Sequence, residues 1–200
     1  DDIISYICRY SSLRDSEKII VSSDKDFYQL LDQKTILYRP VQKKLLTQNS
    51  IIDEHGIHPN NFALARAIVG DKSDNLDGVP GIGLKTVAKR FPFFEKEEDV
   101  YINDLIEFCE NQESNAKAFI SIKENKQLIQ SNYNLMQLYS PSLSTQTKQS
   151  IEWIIDNFEH TFNKTQTYKM MLEDGINEIN WNAMFESFAR IQRDKKELNK

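Results

Sequence analysis

Six aspartates in three pairs carry the first chemical signal. Asp1 and Asp2 open an apolar helix-like stretch, Asp24 and Asp26 flank Lys25 beyond a β-branched run, and Asp71 and Asp74 sit in a loop beginning at Gly70. Hard divalent cations such as Mg2+ or Mn2+ take oxygen ligands, and carboxylates pooled in one cleft supply them. Two ions held together can activate a water and stabilise the leaving oxygen of a phosphodiester. Aspartate is also an ordinary residue of helix starts and turns, so any one pair alone reads as capping. Location distinguishes Asp24 and Asp26: they follow a strand in an α/β pattern, where ligands bind.

The loop 70–78 invites comparison with an EF-hand. With Gly78 at the sixth position, Ser73, Asn75 and Asp77 take positions one, three and five, but the twelfth is Leu84, where a bidentate Glu is required. The EF-hand reading fails. The next stretch, Gly78-Val79-Pro80-Gly81-Ile82-Gly83-Leu84-Lys85-Thr86, suits phosphate better. Glycines let backbone N–H groups approach an anion, and a helix starting near Leu84 adds its positive end and the Lys85 charge. Between Lys72 and Arg90 four basic residues face two acidic ones, an excess of positive charge in an acidic chain. A Walker loop is excluded, because the Gly-Lys-Ser/Thr ending is absent.

Other candidates are weak. His55, His58 and His160 have no zinc spacing with the cysteines and read as solvated or core residues. No Gly-x-Ser-x-Gly elbow nominates a nucleophile. Trp153, Phe158, Trp181 and Phe185 have the spacing of helix-packing aromatics.

The elements that must position these residues follow from periodicity. A helix is predicted over 1–10, a strand over 18–23, a short helix over 26–31, and two short strands, 36–38 and 44–46, about Pro40. Helices are predicted over 50–55, 60–69 and 84–91, then 99–109, 116–136, 148–162, 168–172 and 182–191. Five of the six glycines lie between 56 and 83, so punctuation is concentrated in the first half.

Composition bounds the rest. With 40% apolar and 10% aromatic residues, 200 residues can bury a real core. Nothing approaches a membrane span or a signal peptide, and Cys8 and Cys109 read as reduced core residues. A net charge of −5, taken alone, argues against a protein that coats nucleic acid. If the six aspartates are metal ligands, 24 acids face 25 bases elsewhere, and that objection falls away.

Two motifs, Val21-Ser-Ser-Asp-Lys-Asp-Phe-Tyr-Gln-Leu-Leu31 and Gly70-Asp-Lys-Ser-Asp-Asn-Leu-Asp-Gly-Val-Pro-Gly-Ile-Gly-Leu-Lys-Thr86, closely resemble the 5′-nuclease (flap endonuclease) family. That family includes the 5′–3′ exonuclease domain of bacterial DNA polymerase I and the tailed-phage ribonuclease H enzymes. Asp1-Asp2 resembles the end of its Glu-Ala-Asp-Asp motif. The resemblance is strong over residues 1–91 and looser in the helical remainder. It implies an α/β fold: the C-terminal part of a PIN-like parallel sheet over 1–48, then a helical region over 49–200 with a helix–three-turn–helix element. It implies Asp1, Asp2, Asp24, Asp26, Asp71 and Asp74 as catalytic ligands of two Mg2+ ions, with Mn2+ able to substitute.

Gly78, Val79, Gly81, Ile82, Gly83, Lys85, Thr86 and Lys89 match the DNA-gripping element, which in the family often binds K+ through backbone carbonyls. Ahead of Asp1 the family has a first strand, a further acidic position and a basic arch, so the sequence is expected to be N-terminally truncated. The implied activity is hydrolysis of DNA or RNA-primer 5′ ends at flaps and nicks in replication. The setting expected is the cytoplasm of a bacterial or phage-infected cell, with a sliding clamp or single-strand-binding protein as partner. The alternative is a duplex-binding fragment without a complete active site. An RNA-cutting acidic-cluster nuclease domain is a third reading, which would not need the element at 78–86.

Overall fold

The computed structural model describes residues 1–112, 116–158, 163–176 and 178–198, so His160 lies outside the described residues. It contains two compact units, 1–153 and 154–200.

The sheet of the first unit has three strands in the order β1-β2-β3. Strand β1 (Lys18–Val21) is the β-branched run Ile19-Ile20-Val21, whose stiff side chains favour extended backbone. It pairs in parallel with β2 (Thr35–Arg39), Ile20 opposite Leu37, and β2 turns back antiparallel into β3 (Lys44–Leu46). Parallel neighbours need a crossover of about a dozen residues. Here the crossover holds the helix predicted over 26–31, which is 3₁₀ (Asp26–Leu30). Its Phe27, Tyr28 and Leu30 are buried against the helical layer, so packing outweighs the poorer geometry of so short a helix. Strand β1 is an outer strand and leaves Ile19 and Val21 exposed.

Helix α1 (Asp2–Arg9) precedes the sheet; its Arg9 Nη2 donates to the Gln29 carbonyl at 2.6 Å, and Tyr6 donates to Glu152 at 2.9 Å. Helix α2 (Gln48–His55) is capped by Thr47, which accepts from the Ser50 amide. Helix α3 (Pro59–Val69) starts with Pro59 at its first position and is buried on almost every side. Against it lie the 3₁₀ segment, α4 (Leu84–Arg90) and α7 (Lys126–Met136). Two buried asparagines fix the loops around α3. Asn61 Nδ2 donates to the carbonyls of Phe94, Lys96 and Glu98, and Asn132 Nδ2 to those of Ala67 and Asp77.

A ring cluster of Phe91, Phe93, Phe94, Phe108 and Phe119 joins α4 to α5 (Ile102–Glu110) and α6 (Lys117–Glu124). The single helix predicted over 116–136 is two helices. Asn125 breaks it by turning its side-chain amide back onto the Ser121 carbonyl at 2.8 Å, in competition with the helical ladder. Cys8 and Cys109 are both buried and unpaired, and burial pushes the Cys109 thiol up to about 11.

Helix α8 (Thr145–Asn157) begins three residues earlier than predicted. In the second unit, α9 (Lys164–Glu173) and α10 (Trp181–Leu198) meet through Tyr168 and Trp181, ring centroids 4.6 Å apart, so Trp181 is a packing residue as its spacing suggests. Lys164 Nζ sits over the Phe185 ring at 5.3 Å. No helix among the described residues is long and apolar enough to cross a membrane.

Candidate metal and nucleic-acid site

Asp24 and Asp26 leave the carboxyl end of β1 on a turn that the carboxylates themselves hold. The Asp24 amide donates to Ser22 Oγ at 3.0 Å, and Asp24 Oδ1 accepts from the Asp26 amide at 2.9 Å. Arg39, from β2, donates to the Ser23 carbonyl and to Tyr28 Oη, which fixes the same turn from below.

Asp71 and Asp74 come from the other side, on the loop after α3. That loop is closed by an antiparallel bridge: the Asp71 amide donates to the Leu76 carbonyl at 2.9 Å and the Leu76 amide to that of Asp71 at 2.8 Å. Its ends, Gly70 and Gly78, cross in contact. A Cβ on Gly78 would lie 1.9 Å from the Val69 carbonyl oxygen, so no larger residue fits. Asp71 Oδ1 accepts from both the amide and the hydroxyl of Ser73, which completes the turn.

The two turns face each other across an open cleft of about 350 Å³ lined by Ser23, Asp24, Lys25, Arg66, Asp71, Ser73 and Asp74. Asp26 borders it, within the fields of Asp24 and Asp74, and its Oδ1 is 3.4 Å from Arg66 Nη2. Arg66 Nη2 also pairs with Asp71 Oδ2. Burial raises the Asp26 carboxyl above its usual range more than the Arg66 guanidinium lowers it, and Asp24 and Asp74 push the same way as burial.

The cleft suits a hard divalent cation in donor type and charge, with four carboxylates and the Ser73 hydroxyl offering only oxygen. A cation already stands among them, the guanidinium of Arg66. Among the described residues no three carboxylate, histidine or cysteine side chains close on one point as an ion requires. Arg66 draws Asp26 and Asp71 onto itself, and Asp74 is exposed.

Asp1 and Asp2 stand at the start of α1, outside the residues that line the cleft, and Asp2 Oδ1 accepts from the Ser142 amide at 3.0 Å. The structure thus brings together Asp24, Asp26, Asp71 and Asp74 and leaves Asp1 and Asp2 apart from them. Arg66 and Arg39 were not singled out by sequence reasoning. Arg66 did leave a signal: it is the only charge in the helix Pro59-Asn-Asn-Phe-Ala-Leu-Ala-Arg-Ala-Ile-Val69. A charge on so buried a helix requires a partner.

The glycine-rich stretch continues from this loop. Val79 and Ile82 are core residues, 2% and 6% exposed, and the Val79 amide donates to the Ile68 carbonyl at 2.7 Å; any role toward a ligand falls to their main chain. Gly81, with φ of 76°, and Gly83 have open space where a Cβ would point. Gly83 caps α4, accepting from the amides of Thr86 and Val87. Thr86 is partly exposed, while Lys85 and Lys89 are exposed and four apart, so one face of α4 presents both charges.

His55 and His58 take no part. His58 is 4% exposed; its Nδ1 accepts from the Asn60 amide, capping α3, and the Gln48 side-chain amide meets its Nε2 at 2.6 Å. His55 packs among Tyr28 and Phe62.

Strand ends that feed carboxylates into a cleft, followed by a helical region with a glycine-rich turn, define a mixed α/β protein. No protein-family model matches the chain. It is 34% identical over 103 residues to a 5′-3′ exonuclease of Buchnera aphidicola, a match covering 52% of this chain and 36% of that protein. With the 5′-3′ exonuclease of Aquifex aeolicus the identity is 28% over 140 residues, covering 70% and 45%. The fold is similar to bacteriophage T5 5′-exonuclease with bound zinc, at a TM-score of 0.65 and 20% identity over 77% of this chain and 57% of that one. It is similar too to T5 flap endonuclease in a complex with DNA and metal ions, at a TM-score of 0.64 and 19% identity, with the same two coverages. These similarities support the 5′-nuclease family as the relatives of this chain. It spans less than half the length of the curated exonucleases it matches.

Proposed function

We propose that this chain carries the carboxylate cleft and duplex grip of a metal-dependent 5′ nuclease, which hydrolyses phosphodiesters of DNA or RNA-primer 5′ ends at flaps and nicks. The observation that carries the reading is the meeting of Asp24 and Asp26, from a strand end, with Asp71 and Asp74, from a separate loop, around one open cleft. Turn-capping explains each pair alone. It does not explain why two pairs 45 or more residues apart in sequence face one another.

Asp24, Asp26, Asp71 and Asp74 would hold Mg2+ or Mn2+, as the metal-bound neighbours support. Bound there, a divalent cation supplies an activated water and offsets charge on the leaving 3′ oxygen. The chain's own residues do the positioning. The Ser22–Asp24–Asp26 turn and the Asp71–Ser73 turn aim the carboxylates, and Arg39 braces the first turn through the Ser23 carbonyl. Lys85 and Lys89, with Gly81, Gly83 and Thr86, would contact duplex phosphates, giving binding by shape and charge rather than sequence. K+ held by carbonyls of the 78–86 turn belongs to the same reading.

The test is cleavage of a labelled 5′-flap duplex in Mg2+ and in EDTA, by the unsubstituted chain, Asp24→Asn and Asp74→Asn. Cleavage is expected only with the cation, and each substitution should lower it beyond the about 10–100-fold typical of residues merely supporting a ligand. Duplex binding, read by anisotropy, should persist. Cleavage in EDTA, or undiminished turnover in both variants, overturns the proposal. Binding with no cleavage in Mg2+ selects the non-catalytic duplex-binding reading.

A further inference from the structure

We propose that Arg66 is the cleft's built-in counter-cation, a positioning residue that holds Asp26 and Asp71 when no metal is present and must release them when one binds. This rests on the metal-dependent reading above and adds to it what the cleft's own charge does. The Arg66 side chain is 12% exposed, and the carboxylates it pairs with, Asp26 and Asp71, are 16% and 13% exposed. A single guanidinium nitrogen, Nη2, serves both carboxylates, so it occupies a point between them where a cation would sit. The Nε of the same guanidinium is buried and has no partner, so the group is not fully satisfied where it lies.

Without Arg66 the largely buried carboxylates of Asp26 and Asp71 would face each other uncompensated, which favours unfolding. With Arg66 in place the apo cleft is tolerable, but a divalent ion must displace a fixed positive charge to gain Asp26 and Asp71. Ligand charge tunes the affinity of oxygen sites for divalent ions over several decades. Neutralising Arg66 therefore has two opposite effects: it weakens the metal-free chain and strengthens cation binding. A purely structural residue would give only the first.

The experiment compares the full chain with Arg66→Gln and Arg66→Lys. Melting in EDTA is followed by circular dichroism, and Mn2+ binding by isothermal titration calorimetry without substrate. Arg66→Gln should melt at least about 5 °C lower in EDTA. It should bind Mn2+ about tenfold more tightly, since one unit charge near a divalent ion is removed. Arg66→Lys, which keeps the charge, should stay near the unsubstituted affinity. Equal or weaker Mn2+ binding by a folded Arg66→Gln overturns the inference and leaves the nuclease reading standing. If the unsubstituted chain binds no Mn2+, the metal-dependent reading falls and takes this inference with it. Should Arg66→Gln not fold, the side-chain NMR signals of Arg66 in the unsubstituted chain serve instead. They should move on Mg2+ titration, and an unmoved signal at Mg2+ saturation overturns the inference.

Discussion

Three glycines of the 78–86 turn, alike in the sequence, should respond to alanine in three different ways. At Gly78 the added Cβ would lie 1.9 Å from the Val69 oxygen, 2.1 Å from the Val69 carbonyl carbon and 2.7 Å from the Gly70 nitrogen, all backbone. Ordinary contact needs about 3.5 Å, so the two chain segments must part by about 1.5 Å. The separation strains or breaks the neighbouring Val79 amide to Ile68 carbonyl bond, 2.7 Å, and the Asn132 bond to the Asp77 carbonyl, 2.8 Å. A buried hydrogen bond left unmade costs about 1–3 kcal/mol and overpacking about 1–3 kcal/mol, so Gly78→Ala should cost about 4 kcal/mol. For a chain of this size that is a fall in Tm of about 8–16 °C. Gly81, at φ of 76° with nothing within 4 Å, carries only the left-handed penalty, about 1–2 kcal/mol. Gly83, extended and open but the N-cap of α4, where glycine is preferred to alanine, should cost about 1 kcal/mol. Urea and thermal unfolding of the full chain in EDTA measures the series. The reasoning is refuted if Gly78→Ala stays within about 1 kcal/mol of the unsubstituted chain, or if Gly83→Ala costs as much as Gly78→Ala. The same variants separate packing from grip: Gly83→Ala should keep most of its stability and lose duplex affinity, because there, as at Gly81, a methyl group would meet an approaching phosphate and not the protein.

Two further outcomes follow from groups outside the cleft. Burial holds the His58 imidazole below its usual pKa, so the folded chain binds fewer protons than the unfolded one between that lowered value and about 6.5. Stability conferred by neutral His58 is present above about pH 6.5 and is lost as pH falls through that window; urea midpoints at pH 7.5 and 5.5 should differ less in His58→Asn than in the unsubstituted chain. Lys85→Ala and Lys89→Ala should each weaken duplex binding and reduce the slope of log affinity against log salt by about one, measured by anisotropy between 50 and 200 mM KCl; an unchanged slope removes that lysine from the phosphate contacts.

What could be read in the sequence was whatever is local. The β-branched run at 19–21 and the glycines at 70 and 78 state their own geometry, so the strand and the turn that bear the inner aspartates were legible, whereas the helices predicted from 50 and 60 begin at Gln48 and Pro59. The break at Asn125 was not, because it depends on one side-chain amide choosing the Ser121 carbonyl over solvent. Nor could spacing tell that the two inner aspartate pairs meet while Asp2 turns to the Ser142 amide 140 residues away. Glycines chosen by one criterion proved to have different reasons, steric at 78 and conformational at 81.

Arg66 shows where the boundary lies. A single charge in an eleven-residue helix of otherwise uncharged residues announces that some anion waits for it. Which anion is a property of the fold, since Asp71 is five residues on but Asp26 is forty back, across the sheet crossover. Charge counting by composition treats that guanidinium as one of 25 bases available to nucleic acid. The structure spends it inside the acidic cleft, so the positive charge that α4 presents through Lys85, Lys89 and Arg90 is a property of that helix and not of the chain's overall balance.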